Sequence, residues 1–202
     1  MGAERIGLLG GTFDPPHRGH LAAARACRDA LSLGRVLLVV ANDPWQKSPR
    51  RRITPAGQRF EMVAALAAGE PGVEASRMEI DRGGPSYTVD TVAALRAEAA
   101  GRGSATPDVF VIVGADLVAG LATWERVEEL RRTATLVVVT RPHSPAVVPP
   151  VGWRCEVVDG GGVDASSSEI RRRLAAGEPV GEMVPEAVMR CIRQRHLYAV
   201  PR

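Results

Sequence analysis

Gly10-Gly11-Thr12-Phe13-Asp14-Pro15-Pro16-His17-Arg18-Gly19-His20 follows the apolar run 6–9 and opens the helix-patterned run 21–31. A buried strand, a tight glycine turn and a helix start bring backbone N–H groups, the positive end of a helix dipole and two imidazoles to one place. That is a place for phosphate. Without a Cβ, Gly10 and Gly11 let the main chain approach an anion and adopt φ > 0, and Gly19 turns the chain so that His17 and His20 face one pocket. A neutral imidazole can donate N–H to a phosphoryl oxygen. The string is neither the dinucleotide fingerprint G-x-G-x-x-G nor a Walker loop, because the Gly-Lys-Ser/Thr ending is absent. The plain alternative is a strand-turn-helix corner whose histidines only cap the helix.

Leu21, Ala24, Cys27, Arg28 and Leu31 recur at helical spacing, Gly34 stops the pattern, and 36–40 is a second continuous apolar run of strand length. Strand, helix and apolar strand predict a parallel βαβ unit with ligand beyond the strands' carboxyl ends. The polar, proline-broken segment 41–53 is a basic loop at that edge, and Arg50, Arg51 and Arg52 in it read as solvated. Thr54 and Pro55 read as N-cap and first helical residue of a scaffold helix whose inward face carries Phe60, Val63, Ala64 and Leu66. Residues 73–80 alternate as a strand. Further strands fall at 108–113, 136–139 and 155–158, and 186–196 reads as a packing helix followed by a tail.

Three other stretches carry chemistry of their own. In Ser86-Tyr87-Thr88-Val89-Asp90-Thr91, either Ser86 or Thr88 reads as a helix N-cap, with Asp90 favoured by the dipole. Asp116, after the strand 108–113, stands where a carboxylate accepts from ribose hydroxyls, or else caps a short helix. Ser166 with Glu169 is a capping box opening a helix that carries Arg171. Taken alone, Trp124 reads as core, and Arg141 before Pro142 as a surface cation.

Composition narrows the class. A chain of 202 residues, 45% hydrophobic, buries one sizeable core and reads as a single domain, 1–202. The net charge of +3 suits anionic substrates, but basic residues are dispersed and aromatic content is 4%, so nucleic acid is not an expected partner. Cys27, Cys155 and Cys191 show neither disulfide nor zinc spacing, and no apolar run approaches the ~18 residues of a membrane span. The expectation is a cytoplasmic protein with reduced thiols, no membrane contact, no bound metal site and self-association left open. Lys47 is the only lysine among 26 basic residues, a hint that its site wants a compact ammonium.

The leading string resembles the T/HxGH signature of the nucleotidyltransferase superfamily, and in its full form it is most similar to the bacterial nicotinate-nucleotide adenylyltransferase family. Further stretches agree in order: S-Y-T-V-D-T at 86–91, G-A-D at 114–116 with Trp124, Thr140-Arg141-Pro142 and S-S-S-E-I-R at 166–171. The resemblance implies an α/β fold, a doubly wound Rossmann-like parallel sheet with helices on both faces. It implies adenylyl transfer from ATP, with Mg²⁺ carried on it, to the 5′-phosphate of nicotinate mononucleotide, giving deamido-NAD and pyrophosphate for NAD biosynthesis. His17, His20 and Arg171 become catalytic. Gly10, Gly11, Thr12, Phe13, His20, Gly114, Asp116, Ser167, Ser168 and Arg171 bind ATP; Asn42, Lys47, Tyr87, Thr88, Trp124 and Arg141 bind the mononucleotide. Trp45 and Gln46 replace the usual Pro-His, and Glu125 stands where many members carry a second aromatic. The rivals are phosphopantetheine adenylyltransferase, a cytidylyltransferase, or a nucleotide sensor without turnover. Of these, the first has threonine where His17 stands, and neither enzyme accounts for Trp124 or the 86–91 stretch.

Overall fold

The computed structural model describes residues 2–44, 52–140 and 148–198. Strands β1 (Arg5–Gly11), β2 (Arg35–Val40), β3 (Val73–Ser76), β4 (Asp108–Gly114), β5 (Thr135–Thr140) and β6 (Cys155–Asp159) form one sheet in the order β3-β2-β1-β4-β5-β6. Every pairing is parallel, from Val36 against Val73 at one side to Leu136 against Cys155 at the other. Strand order therefore runs outward in one direction from β1 to β3 and in the other from β4 to β6. The reversal falls between β1 and β4, and the crevice at their carboxyl ends is where this architecture binds ligands.

Alternate residues of each strand feed two cores. On one face Leu9, Leu38, Ile112 and Val139 meet α1 (Arg18–Ala30), α2 (Ala56–Ala67), α6 (Ser167–Ala175) and α7 (Glu186–Gln194) through Ala24, Met62, Ile170 and Val188. On the other, Leu8, Val39, Val111 and Val138 meet α4 (Thr88–Gly101) and α5 (Val127–Thr133) through Val92, Leu95 and Leu130. Burial on both sides explains why the strands read as unbroken apolar runs rather than alternating ones. The doubly wound α/β expectation is met. Among the described residues no helix is long and apolar enough to cross a membrane.

Three local expectations need correction. The alternating run 73–80 is a strand only as far as Ser76, where its ladder with β2 ends at Val39; beyond it the chain turns into the short helix α3 (Met78–Arg82). Glu79, which alternation would leave on a strand, is buried there and accepts from the Thr91 hydroxyl at 2.6 Å. Pro55 rather than Thr54 occupies the N-cap of α2, and the Thr54 carbonyl accepts from Arg59 Nε at 2.7 Å. The left-handed residue of the leading turn is Phe13, φ 51°, not a glycine. Gly11 serves by absence, since a Cβ there would stand 3.0 Å from the buried Phe13 ring.

Candidate active site

Two cavities open at the carboxyl ends of β1 and β4, and Gly10, Gly11, Thr12, Ile112, Val113 and Leu117 line both. Leu117, in the 3₁₀ segment Ala115–Thr123, is 40% exposed although large and apolar, because it faces this shared mouth. The placement follows from the topological reversal: β1 and β4 are neighbours whose connections leave in opposite directions, which opens a crevice above them.

The larger cavity, about 320 Å³, is lined by both imidazoles and by the start of α6. His17 is the N-cap residue of α1 and His20 lies in its first turn, their ring centroids 3.7 Å apart. The His17 main-chain N–H donates to His20 Nδ1 at 3.2 Å. A backbone amide can only donate, so Nδ1 of His20 is the acceptor nitrogen and the proton of the neutral ring sits on Nε2. The capping reading and the phosphate reading of these histidines are thus compatible, because capping fixes the tautomer that donates. Gly19 leaves room for the imidazole: a Cβ there would stand 3.0 Å from His17 Nδ1 and press on the ring.

Opposite the imidazoles, Ser166 caps α6 by accepting from Glu169 N at 3.2 Å. The second half of the expected capping box is diverted. The Glu169 carboxylate accepts instead from Arg172 and Arg173, and those bonds hold it well below the usual carboxylate range, at about 2. Ser167 Oγ donates to the Pro15 carbonyl at 2.8 Å, and Arg171 donates from Nη1 to the Asp14 carbonyl at 2.6 Å and from Nη2 to Ser168 Oγ at 3.2 Å. Two helix N-termini, from chain segments far apart in sequence, are thereby stitched across one cavity. Phe13, Gly114 and Asp116 complete its wall. Gly114 occupies the N-cap position of the 3₁₀ segment, so Asp116 is not the cap; its carboxylate folds over Gly114, where any side chain would collide with it.

The smaller cavity, about 170 Å³, takes Tyr87, Thr88, Trp124, Glu125 and Glu79 as its other wall. Tyr87 is the N-cap residue of α4 with no side-chain cap, so neither Ser86 nor Thr88 fills that role. Ser86 Oγ instead accepts from Asn42 N at 2.8 Å, and Asn42 Nδ2 donates to the Gly84 carbonyl at 2.9 Å. Asn42 lines neither cavity and ties the loop after β2 to the loop before α4. Asp90 pairs with Arg126, holding the Trp124 segment beside the α4 N-terminus. Trp124 packs on the second core and also lines the cavity, so the core reading holds and part of the indole faces the open space.

Lys47 and Arg141, with Trp45 and Gln46, lie outside the described residues. Sequence reading missed three side chains. Arg59, 1% exposed, donates to the carbonyls of Thr54, Thr12 and Asn42 at 2.7, 2.8 and 3.2 Å; an arginine on the stripe of Met62, Val63 and Leu66 was the available signal. Glu79 and Tyr198 left no comparable signal. Tyr198 falls in the expected tail yet donates to Asp14 Oδ1 at 2.7 Å. Among the described residues no group of three or more His, Cys, Asp or Glu side chains is arranged to hold a metal ion.

The model of the cytidylyltransferase-like family matches residues 8–173. The chain is 44% identical over 194 residues to a probable nicotinate-nucleotide adenylyltransferase of Thermus thermophilus, across 96% of this chain and 99% of that protein. It belongs to the nicotinate-nucleotide adenylyltransferase family. A counterpart from Acidothermus cellulolyticus is 42% identical over 198 residues, 96% of this chain and 94% of its own. In three dimensions this adenylyltransferase-family chain is similar to the Plasmodium falciparum nicotinic acid mononucleotide adenylyltransferase complexed with NaAD. The TM-score is 0.77, covering 96% and 97% of the two chains; at 15% identity that likeness speaks for the fold.

Proposed function

We propose that the enzyme joins the 5′-phosphate of nicotinate mononucleotide to the adenylyl group of ATP, releasing pyrophosphate and forming the deamido dinucleotide of NAD biosynthesis. The observation that carries this reading is the pair of cavities meeting at Gly10, Gly11 and Thr12, one walled by imidazoles and Arg171, the other by Trp124 and the α4 N-terminus. A triphosphate on one side and a pyridine on the other would bring their phosphates together at the shared mouth.

The attacking oxygen is ionised at neutral pH, so no general base is needed. A bond forms from it to the α-phosphorus as the bond to the β-phosphate oxygen breaks. What the protein supplies is alignment and neutralisation of charge. His20 donates from Nε2 to a phosphoryl oxygen with His17 beside it, and Ser168 and Arg171 hold the departing pyrophosphate. Mg²⁺ enters as part of the substrate MgATP. Helix α4 begins at Thr88, and its first N–H groups suit the nicotinate carboxylate, with Trp124 stacking on the ring. Lys47 and Arg141 contact the mononucleotide, Asp116 the ATP ribose, and the reaction takes place in the cytoplasm.

His20→Ala tests the assignment. Turnover falls roughly 10²- to 10³-fold, as for loss of one preorganised donor, with an unchanged circular dichroism spectrum. Wild-type turnover in the folded variant refutes the role.

A further inference from the structure

Beyond Gln194, the last residue of α7, the chain doubles back through two non-glycine residues in the left-handed region, His196 at φ 51° and Tyr198 at φ 64°. Such conformations persist only where surrounding contacts fix them. The contacts here are specific. The Leu197 amide donates to the Ile192 carbonyl at 3.0 Å, and Leu197 and Tyr198 pack on the core beneath α2 and α7. The Tyr198 hydroxyl reaches Asp14 Oδ1 at 2.7 Å and accepts from Thr54 Oγ1 at 3.4 Å.

Asp14 is 1% exposed and lies in the leading turn. Its carbonyl receives Arg171 Nη1 at 2.6 Å, and the next carbonyl, Pro15, receives Ser167 Oγ at 2.8 Å. One residue thus takes the tyrosine on its side chain and the arginine on its main chain. Tyr198 arrives from the far side, where it lines a separate groove with Thr54 and Arg171; it does not line the cavity of the imidazoles. It cannot touch the reacting atoms from there.

We propose that Tyr198 is a positioning residue for adenylyl transfer: its hydroxyl fixes Asp14, whose carbonyl sets the reach of Arg171 into the triphosphate cavity. Burial, then the Asp14 charge, pushes the phenol well above its ordinary value, so it remains a donor throughout the neutral range. The inference rests on Arg171 gripping the triphosphate, as assigned above.

The test is steady-state kinetics on the full-length Tyr198→Phe, Arg171→Ala and double variants, with MgATP and nicotinate mononucleotide varied in turn. Phenylalanine keeps the ring packing and removes only the hydroxyl. The expected result is a rise of roughly five-fold in KM for ATP, with KM for the mononucleotide unchanged. Because Tyr198 acts through Arg171, the double variant matches Arg171→Ala alone. A wild-type KM for ATP in Tyr198→Phe, an equal rise for both substrates, or independent effects in the double variant overturns the proposal. Should Arg171→Ala itself leave KM for ATP untouched, the assignment of Arg171 fails and this inference falls with it.

Discussion

Arg59→Met is the most informative single change, because the side chain it removes is buried and joins three loops without touching substrate. Methionine replaces the aliphatic stem, so little cavity is left. What is lost is a guanidinium donating to the carbonyls of Thr54, Thr12 and Asn42. The Thr12 bond is wholly buried, and stranding that carbonyl costs about 1–3 kcal/mol; the other two are partly exposed and regain water, costing about 0.5 kcal/mol each. A loss of about 2–4 kcal/mol is substantial against a total stability of about 5–15 kcal/mol. Urea unfolding followed by circular dichroism measures it as a lower midpoint at unchanged slope. Thr12 lines both cavities, so KM rises for ATP and the mononucleotide alike, unlike the one-sided effect expected at Tyr198. A midpoint within error of wild type, with both KM values intact, would show that the three carbonyls do not depend on this residue.

Trp124→Ala removes the one aromatic ring system projecting from the segment after the 3₁₀ turn, and KM for the mononucleotide rises roughly ten-fold while that for ATP changes little; equal changes in both refute ring stacking. Burial pushes the Cys27 thiol up to about 12, so above about pH 9 the unfolded chain gives up a proton that the folded chain keeps. Stability therefore falls with rising pH there, by up to about 1.4 kcal/mol per pH unit, and Cys27→Ala flattens the slope. Urea midpoints for the two proteins between about pH 8 and 10 check this, and parallel slopes reject it.

Much of this molecule follows from sequence because its determinants are local. An apolar run of strand length, a turn and an amphipathic helix specify a βαβ unit wherever they occur, and five of the six strands lie within a residue or two of the apolar runs that predict them. The strings around His17, Thr88, Asp116 and Ser168 each sit at a strand end or helix start, so one sheet edge gathers them. What failed was where a residue's partner lies far along the chain. Alternation carried β3 too far because the ladder with β2 stops at the Val39–Ser76 pair, a limit that the pattern in 73–80 does not carry. Ser86 looks like a cap and is a clasp for Asn42, since an oxygen accepts from whichever N–H the fold delivers.

Local patterns therefore determined the strands and the two helix N-termini, and the family resemblance pointed to the doubly wound sheet and to the residues expected to bear chemistry. Only the tertiary structure decided that Arg59 would knit three loops, that Glu79 would line the smaller cavity and that Tyr198 would lie behind Asp14. A buried charge or hydroxyl acquires its meaning from the acceptors that surround it, and those acceptors are main-chain carbonyls and carboxylates that no local pattern announces.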